Sequence, residues 1–368
     1  YYACVTLPDM AQPQWVYLCT EPELQALLAP GDNETARDRI MRLYNWPDPA
    51  FPEDTAYAQG DQLYQLIWNP ISTMLTGIDT IRFSVSGLLH RVSMSAVPVS
   101  YQKRILHQYT CYQTQQLLYN NNTFNKYATV SIFGGLQYDQ GAEDIIVDSL
   151  LADRGDNWRM LPGTLAEAKS LRDKAKKQGL SIELITGKEA QEQRIYRDNL
   201  LSADIVHLGT HGFFLSQNTS IKDSEPGAGF YASSQPMQRC GLLLSNANDG
   251  WKSGIPGSND GILTAAEIAN LNLTNTRLVV LSACETGLGD LVGDEGVYGL
   301  QRAFFMAGAK SVIMSLWKVP DLYTSQLMEL FYNQLFAGST PAEALRAAQQ
   351  ELGKQTDPYN WAAFILVE

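Results

Sequence analysis

The chain has 368 residues, 45% hydrophobic and 18% charged, with a formal net charge of −12. That length and composition suit one large globular unit or two smaller ones, and the acidic balance excludes a nucleic-acid surface. No apolar run reaches the roughly 18 residues of a membrane-spanning helix, so no membrane contact is expected. Five scattered cysteines (Cys4, Cys19, Cys111, Cys240, Cys284) form no CxxC pair. They predict a reducing, cytoplasmic location rather than a disulfide framework. Four histidines without a Cys/His cluster predict no metal and no cofactor. Asn-x-Ser/Thr triplets at Asn33, Asn121, Asn218 and Asn272 carry no meaning in such a compartment. Tyr1 is not an initiator Met, so the chain reads as a piece of a longer protein with modules upstream.

In chain order, the first sixty residues are rich in Pro, Asp and aromatics, with one amphipathic helix over 33–43. A helix over 61–68 precedes an alternating strand at 80–85 and a turn at 86–90. Residues 103–120 read as a helix stopped by Asn120-Asn121-Asn122. A second run of α/β signals opens with a strand at 129–133, stopped by Gly134-Gly135. The helix over 164–177 carries a capping-box pattern, Thr164 with Glu167. A short strand at 182–184, a helix over 188–200 and a strand at 205–208 follow. Residues 215–238 and 246–261 read as loops, separated by a strand at 241–244. Helices at 265–270 and 296–307 bracket the strand 277–281, and 311–316 is the last strand. Two helices, 322–335 and 341–352, close the pattern. Strands alternating with helices predict an α/β fold with a parallel sheet covered on both faces.

Two strand ends carry chemistry. One runs His207-Leu208-Gly209-Thr210-His211-Gly212; the other runs Leu281-Ser282-Ala283-Cys284-Glu285-Thr286-Gly287-Leu288-Gly289. The carboxyl ends of sheet strands are where open α/β folds place reactive groups. A cysteine at one and a histidine at the other are a nucleophile and its base. His207 lies inside its strand and reads as structural. The glycine-rich stretch 287–293 follows a strand as a dinucleotide loop would, but Asp290, Asp294 and Glu295 would repel a pyrophosphate there.

These motifs resemble the CHAT domain, a prokaryotic branch of the caspase- and separase-like cysteine peptidases. Further similarity lies in Asp260-Gly261-Ile262-Leu263-Thr264, Glu295-Gly296-Val297, Ala307-Gly308-Ala309 and Ser315-Leu316-Trp317, and in residues 63–98. The resemblance implies a caspase-like α/β/α sandwich with a mostly parallel central sheet. It divides the chain into a non-catalytic leading half, 1–125, and a catalytic domain, 126–368.

It also implies a Cys284/His211 dyad that hydrolyses a protein substrate, with backbone N–H groups of Gly212 and Cys284 as an oxyanion hole. Ser282, on the face of Cys284, together with Trp317 and Asp321, is assigned to substrate binding. Strand 311–316 and the residues after it are expected to take the substrate as an added strand. A helical-repeat regulatory module is the implied partner. An alternative is a catalytically idle scaffold or sensor, and a redox or acyl-transfer thiol enzyme is the weaker third reading.

Overall fold

The computed structural model describes residues 1–44, 59–100, 103–114, 126–139, 158–198, 200–215, 226–254, 257, 259–282 and 295–368. Its centre is an eight-stranded sheet. From one edge to the other the strands are Thr80–Phe83, Thr110–Gln113, Phe364–Val367, Val312–Ser315, Leu278–Leu281, Ile205–Leu208, Thr129–Leu136 and Ser181–Gly187. Every pairing is parallel except that of Val312–Ser315 with Phe364–Val367. The central strands (Ile-Val-His-Leu, Leu-Val-Val-Leu, Val-Ile-Met-Ser) are buried along their whole length. That is the signature of a parallel sheet covered on both faces. The fold is thus α/β with a mostly parallel central sheet flanked by helices, as expected.

Helix Pro162–Lys177 packs on the strand Thr129–Leu136, and the helices Asp321–Phe336 and Pro341–Leu352 pack beside it in turn. Close approach explains the glycine pair at 134–135, which was expected to end its strand. A Cβ at Gly134 would sit 2.4 Å from the Thr164 carbonyl oxygen, and Gly135 has φ +63°. The strand therefore continues to Leu136 through a register shift, with the helix pressed against bare backbone.

Thr164 does not cap that helix. Leu161 is the N-cap, while the Thr164 hydroxyl donates to Leu161 O and accepts from Gly135 N. Glu167 is likewise drawn inward, to His207.

Three other expectations are corrected. The helix over 103–120 is instead a short strand Lys103–Arg104, a single turn Ile105–Gln108 and the sheet strand Thr110–Gln113; residues 115–120 lie outside the described residues. Thr110, Cys111 and Tyr112 are β-branched, small or aromatic, and pairing on both sides outweighs any helical pattern. The loop 246–261 contains a helix, Ala247–Ser253, entered through Asn246 at φ +70°. The helix over 188–200 shortens to Glu192–Arg197.

Elements without a reading in the sequence include the hairpin of Tyr2–Val5 with Gln14–Tyr17, the helix Glu21–Leu28, the short strands Pro98–Ser100, Gly212–Phe214 and Ile262–Thr264, and the last strand, Phe364–Val367. That strand lies between the two leading-half strands and the other five, so one sheet runs through both parts of the chain. Among the described residues no helix is long and apolar enough to cross a membrane.

Candidate active site

The site begins with register. Leu208 pairs with Leu281 across two adjacent parallel strands, and Ser282 N extends the pairing by donating to Leu208 O at 3.1 Å. His211 follows Leu208 by three residues, and Cys284 follows Leu281 by three in the sequence. Cys284, and with it the loop of Asp290 and Asp294, lies outside the described residues.

His211 is fully buried, and its ring is held from several sides. Nε2 lies 2.7 Å from the Arg159 carbonyl oxygen. A carbonyl only accepts, so Nε2 carries the proton in this bond. The rings of Tyr138 and Trp158 each stand 5.1 Å from the imidazole, tilted by 51° and 48°. Tyr138 also shares a 2.8 Å hydrogen bond with Thr210, whose hydroxyl is bonded to Leu243 O.

The segment that supplies the Arg159 carbonyl is itself clamped. The Asn248 side chain accepts from Trp158 N at 2.6 Å and donates to Trp158 O at 2.8 Å, while Asn248 N donates to Tyr138 O at 3.0 Å. Trp158 meets Trp251 edge-on, and Trp251 stacks on Phe230 at 5.6 Å. A buried amide thus fixes the main chain on both sides of Trp158, one residue before the carbonyl that orients His211. No sequence signal marks a backbone carbonyl, and Asn248 stood in a segment read as loop.

Gly212 opens the strand Gly212–Phe214, an edge of the antiparallel sheet completed by Cys240–Leu243 and Ile262–Thr264. Leu243 N donates to His211 O and Leu215 N donates to Arg239 O, so the odd-numbered residues make the ladder bonds. The N–H of Gly212 therefore points away from the partner strand, toward the edge this sheet leaves open.

The remaining expected site residues fare differently. Ser282 is buried at the end of its strand. Asp321 is the first residue of its helix, and its carboxylate accepts from Gly163 N at 3.0 Å, capping the neighbouring helix rather than its own. Burial raises its carboxyl above the ordinary value, with Glu167 adding to the rise and His211 opposing it. Asp321 and His211 therefore share one electrostatic neighbourhood.

Trp317 is 2% exposed, stacks on Tyr44 at 5.6 Å and donates from Nε1 to Tyr359 O at 2.8 Å. Its indole is core, which corrects its expected place in a substrate pocket. Strand Val312–Ser315 has neighbours on both sides, so its backbone cannot accept an added strand.

His207 is buried, as its position within the strand suggested. Its Nε2 lies 2.9 Å from Glu167 Oε1 and its Nδ1 3.1 Å from the Tyr332 hydroxyl. Among the described residues no group of three His, Cys, Asp or Glu could hold a metal ion.

Human tetratricopeptide repeat protein 28 is 29% identical over 219 residues, which is 57% of this chain and 8% of that protein. The mouse protein of the same name is 28% identical over 201 residues, 51% of this chain and 8% of its own length. The chain thus spans less than a tenth of these relatives. Among solved structures, the Arg-specific cysteine proteinase gingipain R aligns over 92% of this chain and 68% of its own, at 9% identity and a TM-score of 0.42. Residues 57–368 match the CHAT domain, and a match over that much of its length means that the chain belongs to the CHAT domain family.

Proposed function

We propose that the chain is a cysteine endopeptidase in which Cys284 is the nucleophile and His211 its acid–base partner. The supporting observation is the fixed tautomer of His211, with Nε2–H committed to the Arg159 carbonyl beside the strand that leads to Cys284. Nδ1 takes the thiol proton, and the Arg159 carbonyl stabilises the imidazolium that results. The thiolate attacks the substrate carbonyl, and the negative oxygen is received by the N–H groups of Gly212 and Cys284. The C–N bond breaks as His211 protonates the leaving amine, giving a thioester. Water, deprotonated by His211, then releases the acid and restores the thiol.

In this reading residues 126–368 are the catalytic part and 1–125 a supporting half. Asp321, whose carboxyl lies in reach of the charge of His211, is the better candidate for a substrate contact than Trp317. The enzyme works in the cytoplasm, on a protein substrate, under control of a helical-repeat module. The repeat proteins among its relatives support that last point.

The test exposes a proteome-derived peptide library to wild type and to Cys284→Ala, reading new termini by mass spectrometry. Cleavage confined to wild type is the expected result. Absence of cleavage, together with a Cys284 thiol inert to alkylation in the folded chain, would favour the second reading. That reading is a scaffold module within a repeat protein, and the relatives' names favour it.

A further inference from the structure

A second site lies in a groove of about 990 Å³ between the turn Ile105–Gln108 and the helix Pro341–Leu352. It shares no lining residue with the surroundings of His211. Arg104 and His107 line it together with Gln350, Lys354 and Trp361.

Arg104 is the anomaly. It is 7% exposed, yet its Nε has no hydrogen-bond partner, and no carboxylate forms an ion pair with it among the described residues. Among the described residues the guanidinium makes one hydrogen bond, of 3.3 Å, from Nη1 to Lys103 O. A buried cation without a counter-charge is costly, so such groups are normally paired or bind an anion. Burial alone brings the guanidinium down to about 10, with no acid opposing it.

The surroundings reinforce the positive sign. His107 Nδ1 accepts from Arg104 N at 2.9 Å, which leaves the proton on Nε2 as a donor. Burial first, then the charges of Arg104, Arg346 and Lys103, hold His107 below its ordinary value, with the Arg104 N–H opposing them. The acids lining the groove are already engaged, Glu351 by Lys354 and Asp357 by Arg37. Arg104 thus stands as a buried cation in the wall of the groove, in a chain of net charge −12.

We infer that this groove binds a phosphate monoester, with Arg104 and His107 holding the phosphate and the apolar wall around Trp361 receiving the organic part. The guanidinium fork and the imidazole N–H offer donors from two directions, which the three terminal oxygens of a phosphate can accept together. A groove of this volume also exceeds what a bare ion would fill.

The test titrates the full chain with phosphoserine, inorganic phosphate and acetate, following the melting temperature and the His107 imidazole signals. Phosphoserine and phosphate should bind saturably and shift His107, phosphoserine more tightly, while acetate does neither. Arg104→Met should weaken phosphoserine at least tenfold and leave alkylation of Cys284 unchanged. This variant removes an unpaired buried charge and should fold; if it does not, Arg104→Lys and His107→Gln must each weaken binding. Equal binding of acetate, tighter binding of inorganic phosphate than of the ester, or affinity unaffected by these substitutions would each overturn the assignment.

Discussion

Leu208 and Leu281 occupy the same rung of two adjacent parallel strands, and a histidine and a cysteine each follow their strand by three residues. Parallel register sets Leu208 and Leu281 at one end of the sheet, His211 follows there, and Cys284 lies outside the described residues. The thiol at Cys284 is therefore expected to be a thiolate sustained by His211, reactive toward iodoacetamide at pH 6. Its competitors are quiet, because burial raises Cys19 and pushes Cys111 up to about 12, and Cys240 is buried. His211→Ala should slow alkylation of Cys284 by about 10- to 100-fold, read by peptide mapping, with exposed Cys4 as internal reference. Equal rates in both proteins would sink the dyad.

Asn248 acts on His211 without touching it. Asn248→Ala breaks both bonds to Trp158 and frees the Arg159 carbonyl to swing away from Nε2. The expected cost is about 2–4 kcal/mol of stability and about 10- to 100-fold in peptide cleavage. A merely structural role would lower the melting temperature and leave kcat per folded molecule alone. Displacement of the carbonyl should instead lower kcat with KM unchanged, so that split is the deciding measurement.

Glu192 predicts a pH-dependent stability. Burial first, then the charges of Glu267 and Asp260, push its carboxyl up to about 7, although Asn259 and Gly261 donate to it. The folded chain therefore holds a proton that the unfolded chain gives up near pH 4.5. Between those values the unfolded state binds fewer protons, so stability falls as pH rises from 4.5 to 7. Glu192→Gln can still accept from Gly261 N and carries no charge. It should flatten that slope and stabilise the chain by about 1–2 kcal/mol at pH 8, measured by urea denaturation across pH.

Much of the central sheet was legible because a strand buried on both faces is written as an apolar run, as in 205–208 and 277–281. The proposed dyad rests on His-Gly and Ala-Cys-Glu-Thr-Gly at two strand ends, of which the described residues include only the first. What escaped was decided by partners distant in the chain. Phe364–Val367 becomes a strand by pairing antiparallel with Val312–Ser315, and Thr110–Gln113 by lying between two neighbours. Trp317 looked like a pocket wall because nothing in its own segment reveals Tyr44 stacked on it, 273 positions earlier. Thr164 and Glu167 had the spacing of a capping box, but Gly135 and His207 claimed both side chains.

Gly134 offers the last test, since it ties the helix behind the sheet to the orientation of the site. Its missing side chain lets the Thr164 carbonyl come within 2.4 Å of where a Cβ would be, and Ala168 Cβ within 2.7 Å. The first of these neighbours is backbone and cannot rotate aside, so the start of helix Pro162–Lys177 must move as a unit. That start carries Gly163, held by Asp321, and lies three residues beyond the Arg159 carbonyl that fixes His211. Gly134→Ala should cost about 1–3 kcal/mol through overpacking and also reduce cleavage, because the displaced segment takes the carbonyl with it. Gly179, at the far end of the same helix with nothing within 4 Å of its Cβ position, is the control. Its φ of +75° makes Gly179→Ala costly in stability alone, with activity per folded molecule unchanged. If the two variants lose stability and activity in the same proportion, the helix start does not govern the site.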